Sequence, residues 1–133
     1  MKRVSPSQEM QDSLLRIAIV GPCGAGKTTL AANLQRLNFR ARQISQEHSH
    51  VPEMWKKIAQ PDLLIYLGVS YDEATHRKNL NWHVSDLEEQ ISRLKHARQN
   101  CDIYILTDPL TSDQVLEEVL ANLPVGHALI DKV

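Results

Sequence analysis

Cysteine is scarce in this chain. Cys23 and Cys101 are the only two in 133 residues, and they lie far apart. That spacing offers neither a disulfide framework nor a zinc cluster, and it fits a reducing cytoplasm. Net charge is nearly absent too, with 15 Lys and Arg against 16 Asp and Glu. The overall balance therefore gives no reason to expect nucleic acid or another polyanion as a partner. No apolar run reaches membrane-spanning length, and the first residues lack a signal-peptide pattern, so no membrane association is expected. Internal repeats and low-complexity tracts are missing. Glycine is rare, with five in the chain, and three of the five stand between residues 21 and 26. The length suits one domain with a proper core.

Those three glycines mark the stretch that organises the rest. Arg16-Ile17-Ala18-Ile19-Val20 runs into Gly21-Pro22-Cys23-Gly24-Ala25-Gly26-Lys27-Thr28-Thr29-Leu30. It reads as an apolar strand, a glycine-rich turn and a helix start, and the turn has the form G-x-x-x-x-G-K-[ST] of a phosphate-binding P-loop. Gly21, Gly24 and Gly26 permit backbone angles closed to other residues and let amide groups approach an anion. The helix behind them points its N-terminus at the same place. Lys27 is placed to reach β- and γ-phosphates, Thr28 to offer a hydroxyl to Mg²⁺, and Thr29 to touch an α-phosphate. Pro22, Cys23 and Ala25 complete the loop that would wrap the nucleotide.

The remaining chain alternates between strand and helix patterns. Residues 1–13 read as a loose tail, 14–124 as the nucleotide-binding domain and 125–133 as a C-terminal tail. Strands are expected at 14–20, 40–45, 63–67 and 101–106, with the polar 40–45 at an edge. Helices are expected at 27–37, at 52–59 with Pro52 in the first turn, and from Ser70 to about 79. A longer one is expected from a Ser85 capping box to about 99, and a last one from a Thr111-x-x-Gln114 capping box to Leu123. The seam of the helix near 86–99 is Leu87, Ile91, Leu94 and Ala97 or Arg98. The last helix turns Val115, Leu116, Val119, Leu120 and Leu123 inward. This is an α/β pattern, a three-layer α/β/α arrangement with a mainly parallel sheet of four to five strands. Ala128-Leu129-Ile130 offers an apolar patch for an edge strand or for a partner, such as a second copy in a homodimer. Ligands in such sheets bind at the carboxyl ends of the strands, where the P-loop, Gln46-Glu47, Gly68-Ser70 and Thr107-Asp108 fall.

The pattern resembles the P-loop kinases, the fold group of adenylate, thymidylate and shikimate kinases. The resemblance rests on Gly21 to Thr29 and on Pro61-Asp62-Leu63-Leu64-Ile65-Tyr66-Leu67, which looks like a late strand of nucleoside monophosphate kinases. It rests also on the basic segment His76-Arg77-Lys78 and Arg93 in the place of a lid, and on the strand at 102–108 with the helix behind it. It implies a P-loop NTPase fold, ATP with GTP kept open, Mg²⁺, and phosphoryl transfer to a small-molecule acceptor. Thr107, Asp108 and Pro109 would edge the base pocket, and Arg77 would close on the γ-phosphate. The chain departs from that group in three ways. The interval between the first helix and the Pro61-Asp62 strand is short and holds no Asp-Arg. Gly68 stands where thymidylate-like kinases have Asp. The basic segment carries one adjacent pair, Arg77-Lys78. The shortened acceptor region keeps a second class open, a nucleotide-binding regulatory module or weak NTPase without an acceptor.

Outside the P-loop, each candidate residue also has a plainer role open to it. Glu47 is either a solvated loop carboxylate or, if the second strand lies beside the first, a catalytic group near Mg²⁺ that holds the ion through water or accepts a proton. His48 and His50 form a His-x-His pair with no third ligand in sight, and surface histidines are the favoured reading. Trp55 and Trp82 read as packing anchors rather than base-stacking groups. The guanine-reading Asn-Lys-x-Asp, the Ser-Gly-Gly signature of ABC ATPases and an Asp-Glu strand end are all missing.

Overall fold

The computed structural model describes residues 15–124. The expectations for residues 1–13, Leu14 and 125–133 lie outside the described residues. Four strands are present: β1 (Arg16–Val20), β2 (Arg40–Gln43), β3 (Leu63–Gly68) and β4 (Ile103–Leu106). They form one all-parallel sheet in the order β2-β1-β3-β4. The helices among the described residues are α1 (Lys27–Arg36), α2 (Met54–Ala59), α3 (Tyr71–Lys78), α4 (Val84–Arg93), α5 (Lys95–Asn100) and α6 (Ser112–Asn122). A 3₁₀ turn at Gln46–His48 follows β2. No helix among the described residues is long and apolar enough to cross a membrane.

The period-two alternation of the strands divides the core into two layers. Ile17, Ile19, Ile65, Leu67, Ile103 and Ile105 join Leu30 and Leu34 of α1 and Val115 and Val119 of α6. Ala18, Val20, Leu64 and Tyr66 point to the other face, against Trp55 of α2 and Leu94 and Ala97 beside and within α5. Every residue of β3 is buried, as a central parallel strand covered on both sides requires. β2 lies at an edge beside β1, and only Ala41 of its four residues is buried. Asp62 and Asp102 pin the strand starts: their carboxylates accept from the Arg16 and Leu64 backbone N–H groups, each at 2.8 Å.

Helix ends follow local chemistry, with four departures from the sequence expectation. Thr111 and Gln114 form the expected reciprocal capping box on α6. Ser70 caps α3 by accepting from the Glu73 N–H at 3.1 Å, and Asn79 ends that helix at a φ of 53°, a conformation Asn tolerates well. However, α2 starts at Met54, because Pro52 sits in the turn that precedes it rather than in its first turn. The expected helix from Ser85 to 99 is two helices, α4 and α5, which break at Leu94. Its start is set by His83, whose N–H donates to Asp86 at 2.8 Å, so Ser85 is already helical. Ile91 is not part of the inward seam; it is 46% exposed, and Gln90 beside it is buried instead.

Candidate functional site

The loop from Gly21 to Gly26 joins the carboxyl end of β1 to α1, at the edge where β3 and β4 also end. Close packing holds it there. A Cβ on Gly21 would lie 2.2 Å from the Leu67 carbonyl oxygen, so only a residue without one can pass the end of β3. Gly24 has a φ of 85° and abuts Ala74 of α3, where an added Cβ would meet the Ala74 Cα and Cβ at 2.9 Å. Gly26 is the left-handed N-cap of α1 and offers no side-chain cap.

Lys27, the first residue of α1, turns back under this loop. Its ammonium donates to the carbonyl oxygens of Gly21 at 2.8 Å and Pro22 at 3.2 Å, and to Glu47 Oε2 at 2.9 Å. The two charged side chains are 8% and 5% exposed. The position of β2 beside β1 carries the Gln46–His48 turn to the loop, which is the condition under which Glu47 faces it. Glu47 Oε1 is buried and is the one such side-chain polar atom among the described residues without a hydrogen-bond partner. A buried acceptor left unmatched is costly.

The turn that presents Glu47 is built tightly. Gln46 is fully buried; its amide donates to the Val51 carbonyl at 2.8 Å and accepts from the Trp55 N–H at 2.8 Å. Arg93, grouped in sequence with lid cations, donates to the Glu47 carbonyl at 3.2 Å and pairs with Glu89. It braces the turn. Trp55 and Trp82 are packing anchors, as expected: Trp55 is buried, and Trp82 donates to Thr75 Oγ1 at 2.6 Å.

Two clefts flank the loop. One, of about 360 Å³, is lined by Gly26, Thr29, Leu30, Arg77, Val115 and the segment Thr107-Asp108-Pro109-Leu110. The other, of about 410 Å³, is lined by Cys23, Lys27, Thr28, Thr29, Gln43, Ser45, Glu47, Arg77 and Lys78. The sequence candidates thus come together: Lys27, Thr28 and Glu47 line one cleft, and Thr107, Asp108 and Pro109 line its neighbour. His50 is exposed and lines neither cleft.

Arg77 stands between the clefts. Its guanidinium donates to Glu73 at 3.0 Å, to the Gly24 carbonyl at 3.1 Å, and to Thr107 Oγ1 and the Thr107 carbonyl at 2.9 and 2.7 Å. Thr107, 1% exposed, also donates toward the Ala25 and Gly68 carbonyls. A shift of Arg77 onto a phosphate would break its bonds to Gly24 and Thr107. Asp108 accepts from the Ser70 N–H at 2.9 Å and ties the two loops together. Gly68 has its own packing reason: an added Cβ would lie 2.6 Å from the Tyr104 hydroxyl oxygen.

Sequence reasoning missed Gln90. Its side chain accepts from the Cys23 N–H at 3.0 Å and donates to Cys23 Sγ at 3.3 Å, so α4 grips the loop tip at both ends of one residue. The signal was a polar residue inside an apolar seam, legible only once its partner is known.

No protein-family model matches this sequence, and no curated protein matches it significantly.

Proposed function

We propose that this chain is a P-loop protein that binds ATP with Mg²⁺ and transfers its γ-phosphoryl group to a small acceptor. The observation that carries the reading is the convergence of Lys27, Thr28 and Glu47 on one polar cleft, with Glu47 Oε1 buried and unmatched. Oxygen donors from Thr28, Ser45 and Glu47 are the hard ligands Mg²⁺ prefers. Thr28 and Glu47 would hold the ion, which supplies charge neutralisation at the β- and γ-phosphates.

The protein's own residues account for the remainder. Lys27 already carries its charge under the loop, and a phosphate entering the cleft exchanges the Glu47 contact for its own oxygens. The helix N-terminus behind Gly26 favours the same anion. The neighbouring cleft combines apolar Leu30, Leu110 and Val115 with the Thr107–Pro109 backbone, a surface suited to the flat faces of a base. Arg77 holds the Thr107 segment and the loop at a fixed separation, so base and phosphates are positioned together.

A second reading is a nucleotide-binding regulatory module. The position of Arg77 favours it, because four hydrogen bonds hold the side chain that would otherwise close on a γ-phosphate. A thermal-shift series separates the two. ATP, ADP, GTP and GDP are tested with Mg²⁺ on wild type and on Lys27→Ala/Glu47→Gln, then the best nucleotide with a set of small phosphate acceptors. Stabilisation by adenine nucleotides that vanishes in the double variant supports the nucleotide site, and no stabilisation in wild type overturns it. A further shift from one acceptor, with its phosphorylation, selects the kinase reading; a lack of acceptor response selects the module.

A further inference from the structure

A second chemistry meets the first at Glu47. Cys23 Sγ, at the tip of the glycine-rich loop, lies 3.7 Å from His48 Nε2. His48 Nε2 lies 3.7 Å from Glu47 Oε2. One ligand atom from each of Cys23, Glu47 and His48 falls within 4.8 Å of the other two. We propose that these three side chains form a binding site for a thiophilic divalent transition-metal ion of the zinc type. The site forms without nucleotide, but it shares Glu47 with the Mg²⁺ position proposed above, so the two ions compete for that carboxylate.

The distance between the sulfur and the imidazole nitrogen suits such an ion. Tetrahedral zinc with a Zn–S bond of about 2.3 Å and a Zn–N bond of about 2.0–2.1 Å sets the two donors about 3.6 Å apart. The Cys23–His48 separation needs almost no adjustment to reach that value. A sulfur and an imidazole nitrogen select against Mg²⁺ and Ca²⁺, which take oxygen shells, and toward zinc, cobalt, nickel or copper. Three protein ligands leave a fourth position for water or an incoming group, the pattern of a working site rather than a closed structural one.

The Glu47 carboxylate has acceptor capacity to spare, the same capacity on which the Mg²⁺ reading draws. The Glu47 carboxylate is 5% exposed, and Lys27 engages only one of its oxygens, leaving Oε1 without a partner. The oxygen facing His48 is Oε2, so an ion in the triad shares that oxygen with the Lys27 ammonium, while Oε1 leaves the carboxylate further acceptor capacity. The surroundings also orient the sulfur. Gln90 holds the Cys23 backbone N–H and donates to Sγ, so the thiol is aimed by α4 rather than left to swing. Outer contacts of that sort commonly tune metal sites. On binding, Cys23 gives up its thiol proton to solvent and the sulfur ligates as thiolate. The sequence concealed the site because its ligands come from two segments joined by the β1–β2 pairing. His48 finds its companions there, not in His50.

Cobalt(II) added to the reduced, nucleotide-free full chain tests the proposal, because a thiolate-to-cobalt charge-transfer band reports sulfur ligation directly. Wild type and Cys101→Ser should show the band with one ion per chain, and zinc should displace the cobalt while excess Mg²⁺ does not. Cys23→Ser should abolish the band. His48→Gln should weaken binding by about 10-fold or more, and Gln90→Leu by about 10–100-fold. Thermal unfolding of each variant checks that it is folded, and Cys101→Ser supplies a thiol change away from the site. No band in wild type, an unchanged band in Cys23→Ser, or loss of the band in Cys101→Ser would each overturn the proposal. Since no nucleotide is present, these outcomes are separate from success or failure of ATP binding.

Discussion

Lys27 Nζ and Glu47 Oε2 are 2.9 Å apart in a pocket where both side chains are almost wholly buried. They belong to different segments, the start of α1 and the turn after β2, and the pair draws the two together over the end of β1. Breaking a buried pair from one side leaves the other charge stranded, at a cost of roughly 3–5 kcal/mol. Lys27→Ala should therefore lower the unfolding free energy by about that amount as well as abolish the proposed nucleotide binding. Adding Glu47→Gln should recover most of the stability and none of the binding. Chemical denaturation and nucleotide-dependent thermal shifts of the two variants measure both. If the single variant is as stable as wild type, the pair does not hold the loop.

Arg77 separates a brace from a lid. A lid residue contributes little to the nucleotide-free protein, whereas a brace with four hydrogen bonds contributes throughout. Arg77→Ala should destabilise the free chain by about 1–3 kcal/mol, since the Thr107 and Gly24 carbonyls lose charged donors. Arg77→Lys should rescue little, because an ammonium cannot span the two sides of the fork. Unfolding without nucleotide gives the answer; an unchanged midpoint for Arg77→Ala would return it to the role of a mobile cation.

The sequence made the strands, the parallel α/β alternation and two of the helix caps legible, because each depends on residues a few positions apart. Val115, Val119 and the run from Leu63 to Leu67 announce their burial by spacing alone. The grouping of Lys27, Thr28 and Glu47 could be read conditionally, since it needed only β2 beside β1. What stayed hidden depends on contacts across the fold. Gln90 looks like a flaw in an apolar seam until Cys23 is seen against it. Arg93 looks like a free cation until the Glu47 carbonyl is seen to accept from it. The break at Leu94 has no proline or glycine to mark it, and the start at His83 competes with an equally plausible cap two residues later.

Two glycines of the loop can be told apart by substitution. Gly24 combines a φ of 85° with an Ala74 contact that an added methyl would turn into a clash at 2.9 Å. Gly26 has a φ of 101° but nothing within 4 Å of an added Cβ. Gly26→Ala thus meets only the backbone cost, about 1–2 kcal/mol, while Gly24→Ala adds overpacking of about 1–3 kcal/mol. Denaturation midpoints should rank wild type, Gly26→Ala and Gly24→Ala in falling order. A reversal of the two variants would show that the contact with α3 gives way easily.

Tyr66 makes the stability of the fold depend on alkaline pH. It lies in β3 beneath Arg98, with Tyr104 alongside, and its pKa is pushed up to about 12 from 10.0. Burial is the main cause, and Tyr104 adds to it, while Arg98 opposes both. The neutral phenol is therefore favoured in the folded state. The resulting stability is present in full below pH 10, the unfolded value, and is lost as pH rises toward 12, because the unfolded chain ionises first. A shift of this size corresponds to at most about 2–3 kcal/mol. Tyr66→Phe removes this dependence, so its unfolding free energy should fall less steeply than that of wild type between pH 10 and 12. Absorbance titration should show one wild-type tyrosine ionising last, in step with unfolding, and that late component should be missing from Tyr66→Phe. Parallel stability curves for the two proteins across that interval would mean that Tyr66 ionises as freely in the fold as outside it.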